Sequence, residues 1–71
     1  MTIQEAFRTN LIKRQSVKNW TNADLSRKSG ISHTHITAIK NGNRTPNLYT
    51  AYIIAKALNC TVNDMLEGCD E

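Results

Sequence analysis

The chain is sparing with the residues that usually mark specialised chemistry. Among 71 residues there is one proline, one tryptophan, one phenylalanine, three glycines and two cysteines. No apolar run approaches the roughly 20 residues needed to cross a bilayer, so a membrane span is not expected. The N-terminal segment lacks the basic-then-apolar pattern of a secretory leader, which points to the cytoplasm. Cys60 and Cys69 show no metal-ligand spacing and read as free thiols of a reducing compartment. Cys60, among apolar neighbours, is expected to be buried, and Cys69 lies in the C-terminal tail. There is no glycine-rich phosphate loop and no nucleophile spaced to a base. His33 and His35 diverge if they lie two apart on a helix, and no third ligand is near. No enzyme activity, cofactor, metal or small-molecule ligand is therefore expected.

Acidic residues are the more telling scarcity. The first 45 residues hold eight basic side chains against only Glu5 and Asp24, a net +6, whereas the last 26 carry a net −3. A basic front with an acidic tail suits a protein with one face toward a polyanion.

Without proline or glycine in their interiors, most segments can be helical, and none shows the sustained alternation of a half-buried strand. The first helix is expected over residues 3–16, with Ile3, Phe7 and Leu11 on one buried stripe. Thr21 with Asp24 three residues on is a capping-box variant, preceded by Trp20 as the apolar residue before the cap. It opens a second helix that ends before Gly30. Ser32 caps a third, running to about Asn41 and stopped by Gly42. Pro46 or its neighbour opens a fourth, through Leu58. Thr61 with Asp64 opens a short fifth, ending near Glu67. Five short helices with tight links make an all-α bundle, one domain over residues 1–71 with a core at about 3–67.

Residues 22–41 are the informative segment. Two helices of about two turns meet at a short turn centred on Gly30 and Ile31, the helix-turn-helix arrangement in which the second helix enters the major groove. Leu25, Ile31, Ile36 and Ile39 must meet in the angle between them, and small Ser26 lets them approach. At ~100° per residue, Ile36 and Ile39 mark the buried side of the third helix. The other side carries His33, Thr34, Thr37, Ala38 and Asn41, all short or polar and none acidic. Such a face reads base edges without repelling phosphates.

The ordered set Thr21, Leu25, Gly30, Ile31, Ser32, Ile36, Ile39, Asn41-Gly42, Arg44 and Pro46, followed by Leu48, Ala55, Leu58, Val62 and Leu66, resembles the lambda-repressor/Cro-like (XRE) helix-turn-helix family. The likeness covers about residues 20–66. It implies base reading by His33, Thr34 and Ala38, with Thr37 as a neighbour. It implies phosphate contacts at Thr21 and Asn22, and again at Asn41, Arg44 and Thr45. Asn22 stands where the family usually has Gln, and Ser26 where Ala is typical. Ser29 replaces an apolar residue before Gly30, which is expected to loosen the turn. A charge pair common in the family, between an Arg late in the first helix and an acid late in the third, has no counterpart: Arg14 is near the first position, but Lys40 occupies the second. Lys40 is thus expected to be free to approach a phosphate.

The function implied is sequence-specific binding of a double-stranded DNA operator by a homodimeric transcriptional regulator of phage or plasmid type. With 71 residues, the dimer surface is expected on the domain itself, at Tyr52, Ile53 and residues 60–66. Tyr49 and Tyr52 are read as packing or interface residues rather than as a stacking platform for single strands. The rival reading is a protein-interaction module on the same fold, an antitoxin or adaptor with secondary DNA binding. The basic front favours the former; the apolar run Tyr52-Ile53-Ile54 favours the latter.

Overall fold

A computed structural model describes residues 1–70. Five helices follow one another: α1 (Ile3–Val17), α2 (Asn22–Ser29), α3 (His33–Lys40), α4 (Leu48–Ala57) and α5 (Val62–Met65). No strand occurs among the described residues.

Each helix starts on a side-chain oxygen that accepts a first-turn amide which has no partner inside the helix. Thr21 and Thr61 form full capping boxes with Asp24 and Asp64. A third box, Thr2 with Glu5, opens α1. Ser32 caps α3 by accepting from the His35 amide at 3.1 Å. Of Pro46 and its neighbour, it is the neighbour that opens α4. Asn47 is its cap, accepting from the Thr50 amide at 2.8 Å, and Pro46 precedes the helix.

Helices α1, α3 and α4 share one left-handed ending that returns two amides to free carbonyls. After α3, the Gly42 amide donates to Ile39 O and the Asn43 amide to Ala38 O at 2.9 Å, with Gly42 at φ 80°. The same pattern ends α1 and α4, but there Asn19 (φ 58°) and Asn59 (φ 60°) occupy the strained position. Asparagine tolerates this conformation better than other residues with a Cβ.

Phe7, Leu11, Leu25, Ile36, Ile39, Ile54, Leu58 and Met65 form one core, with Trp20, Ile31, Val62 and Leu66 packed at its edge. Ile3 does not join the buried stripe; it is 48% exposed. It is the first helical residue, and its side chain leans toward the N-terminus. The stripe is instead Ala6, Phe7, Asn10, Leu11 and Gln15. Two of these are polar, and each has a task. The Asn10 amide nitrogen lies 2.9 Å from Met65 O and 3.0 Å from Glu67 O, fastening the end of α5 to α1. α5 is accordingly a single turn, ending at Met65 rather than near Glu67. Cys60 is half-buried, not buried, because it follows α4 at the rim of the core; neither it nor Cys69 is in a disulfide. Partial burial raises the Cys60 pKa.

Candidate nucleic-acid interface

α2 and α3 meet around Leu25, Ile36 and Ile39, all 2% exposed or less, so the orientation of α3 is set by its apolar back. The turn between them is tight. The Ser29 hydroxyl donates to Leu25 O at 2.7 Å and accepts from the Ile31 amide at 3.1 Å. Ser29 therefore stitches the turn that it was expected to loosen, since a hydroxyl can satisfy one group on each side of the bend. Gly30 supplies the left-handed step at φ 78°.

With its back fixed, α3 turns the other side outward. His33, Thr34 and Asn41 are exposed and Thr37 and Ala38 half-exposed. The five line one shallow depression together with Asn43. Asn43 was not among the expected residues. The left-handed step at Gly42 folds it back against the end of α3, and the Asn-Gly-Asn run was the available signal.

Asp24, the one acid between residues 6 and 63, is engaged by its own helix. The Asp24 carboxylate accepts from the Thr21 amide and pairs with Arg27 at 2.9 Å. The Thr21 hydrogen bonds, then Arg27, hold its pKa below the usual aspartate value. Lys18 and Lys28 lie over the Trp20 ring, 5.1 and 5.7 Å from its centre. Arg44 and Thr45 stand exposed after α3. At the start of α2 the Asn22 and Ala23 amides meet no acceptor among the described residues. Helix starts of this kind favour anions. Arg8, on α1, was also missed. Its guanidinium covers Gly42, where an added Cβ would collide with it, and it forms no ion pair among the described residues.

Two of the residues expected at phosphates, Asn22 and Lys40, are hydrogen-bonded within the fold. Asn22 Oδ1 accepts from Gln15 Nε2 at 2.8 Å and from Lys40 Nζ at 2.7 Å, and its Nδ2 donates to Thr37 Oγ1 at 3.3 Å. Lys40 is consequently not free: it replaces the missing charge pair between α1 and α3 with a hydrogen bond through a third helix. Partial burial lowers its pKa. Gln15, a polar residue on an apolar stripe, was the sequence signal for this cluster. No group of three or more His, Cys, Asp or Glu side chains that would hold a metal occurs among the described residues. No helix among them is long and apolar enough to cross a membrane.

A bent pair of short helices with an outward polar face defines a helix-turn-helix protein. Comparison with known proteins agrees: a helix-turn-helix family profile matches residues 12–65. Control protein C.SmaI of Serratia marcescens is 32% identical over 66 residues, covering 93% of this chain and 79% of that protein. An uncharacterised HTH-type transcriptional regulator of Sinorhizobium fredii, y4dJ, is 24% identical over the whole chain and 92% of its own length. The chain belongs to the XRE-type helix-turn-helix family of DNA-binding transcription regulators.

Proposed function

We propose that this regulator binds a palindromic double-stranded DNA operator as a homodimer, each copy placing α3 in a major groove. The observation that carries the reading is the outward side of α3: six short or polar side chains, His33, Thr34, Thr37, Ala38, Asn41 and Asn43, with no acid among them. His33, Thr34 and Ala38 read base edges, with Thr37 beside them. Thr21, Asn41, Arg44 and Thr45 meet phosphates, joined by Arg8 and the open amides of α2. These contacts displace counterions and make affinity salt-dependent.

A helix of two turns reads few base pairs, so two copies about one DNA turn apart are needed for useful specificity. The outward side of α4 supports a surface for the second copy. Leu48, Tyr49 and Tyr52 are 79%, 68% and 54% exposed. Tyr52 also borders Cys60, Thr61 and Val62, within the expected dimer segment.

Selection of binding sites from random duplex DNA at two salt concentrations tests the proposal. An enriched inverted repeat whose affinity falls steeply with salt supports it. Weak, uniform binding without an enriched sequence rejects it in favour of a protein-interaction role for the same fold.

A further inference from the structure

Gln15, Asn22, Thr37 and Lys40 come from three helices and meet in one hydrogen-bonded knot behind the outward side of α3. The two ends of the Asn22 carboxamide are chemical opposites, and its orientation must be set by whichever partner has no choice. The Thr37 hydroxyl can donate or accept. The Gln15 amide can present either end. The Lys40 ammonium can only donate. Lys40 therefore holds Asn22 Oδ1 toward itself and turns Nδ2 toward Thr37. Two consequences follow. Gln15 must also offer its NH2 group, and the Oε1 of this residue, only 3% exposed, is left without a donor among the described residues. Thr37 accepts from Asn22, and its own hydroxyl proton meets no acceptor among the described residues.

Without Lys40 the better arrangement would be the reverse. Asn22 Nδ2 would satisfy the orphaned Gln15 Oε1, and Asn22 Oδ1 would accept from Thr37. The unpaired buried oxygen is thus the cost of keeping the amide in its present orientation.

We infer that Lys40 is a positioning residue for sequence discrimination: acting through Asn22, it keeps the Thr37 hydroxyl able to donate to an acceptor edge of a base. Guanine N7 or O6, adenine N7 and thymine O4 are such acceptors; the amino groups of cytosine and adenine are not. The inference rests on the proposed entry of α3 into the groove. Lys40 is then no phosphate clamp, although it lies on the helix that faces DNA.

The test is binding-site selection with the wild-type chain and three variants, with thermal melts to confirm folding. Thr37→Val identifies the base position that the hydroxyl reads. Lys40→Met removes the ammonium while keeping a linear stem. Asn22→Asp keeps the ammonium but places a second oxygen against Thr37, consuming its proton by an independent route, and serves alone if Lys40→Met does not fold. At the position marked by Thr37→Val, both variants should lose the preference for an acceptor base by about tenfold and shift toward cytosine or adenine amino groups. In a Thr37→Val background, Lys40→Met should change that position no further. An unchanged base profile in both variants overturns the inference. So does a Lys40→Met variant with an intact profile and a salt slope reduced by about one, which makes Lys40 a phosphate contact. If the wild-type chain enriches no sequence, the DNA reading itself fails and the inference falls with it.

Discussion

Two helices of this small protein share one core and turn opposite kinds of surface outward. α3 is anchored by Ile36 and Ile39 and shows the outside short polar side chains without an acid. α4 is anchored by Ala51, Ile54 and Ala55 and shows the outside Leu48, Tyr49 and Tyr52. Their backs are interchangeable in chemistry; their fronts are not. A polar front without carboxylates can approach the polyanionic edge of a duplex, whereas an apolar front gains by meeting another apolar surface. In the proposed dimer, the contrast separates reading and pairing onto different helices.

The comparison breaks most completely if its shared base is removed. Ile36 has no exposed surface, and Ile36→Ala should lower stability by about 2–5 kcal/mol. In a domain with a core this small, thermal or urea melts should show both DNA binding and self-association lost together. The fronts, by contrast, should fail separately. Tyr52→Glu should raise the dimer dissociation constant by at least about tenfold, in keeping with the ~2 kcal/mol or more of a central interface anchor. Analytical ultracentrifugation should show this while the melting temperature of the monomer holds. Thr34→Ala should change preference at one base position by ~1–3 kcal/mol. Arg44→Ala and Arg8→Gln should instead weaken all sites alike, each flattening the salt slope by about one. If Thr34→Ala and Arg44→Ala behave identically, the division between base and phosphate contacts is wrong.

Smaller effects should come from the helix ends that hold both fronts in place. Asn59→Ala puts a residue without asparagine's tolerance at φ 60° and should cost about 1–2 kcal/mol, while Asn59→Gly should be neutral or stabilising; urea melts distinguish them. The smallest effect should be that of pH. Hydrogen bonds from Thr2, Thr21 and Thr61 hold the carboxyls of Glu5, Asp24 and Asp64 below their ordinary pKa values. A depressed folded-state pKa contributes stability that is present above the unfolded value and is lost as pH falls through the folded one. Melting temperatures should therefore decline gently below about pH 4.5. Replacing Asp64 by Asn should soften that decline.

The number and order of the helices were legible because their start signals are local. Thr21 with Asp24, Ser32, and Thr61 with Asp64 each announce a helix within four residues of chain. The grouping of His33, Thr34, Thr37, Ala38 and Asn41 on one side of α3 was legible for the same reason, since helical geometry alone decides it once Ile36 and Ile39 are known to face inward. What escaped the sequence depends on contacts between elements or on ambiguous residues. Asparagine ends α1 and α4, where glycine would have been the plain stop signal. Ile3 has the spacing of a core residue but lies on the first turn of α1, and Ser29 stabilises its turn through a hydroxyl whose partners are set only by the bend. Lys40 is a basic residue on a face expected to meet DNA, yet it donates to Asn22; finding that required knowing that α1 places Gln15 beside the start of α2.

The central claim is that α3, and not α4, meets DNA. Backbone amide chemical-shift mapping during titration with the duplex enriched by site selection tests it directly. The largest shifts are expected at residues 33–44 and at the first turn of α2, fading as salt is raised, with Leu48, Tyr49 and Tyr52 little changed at constant dimer fraction. Shifts centred on α4 with α3 silent would contradict it.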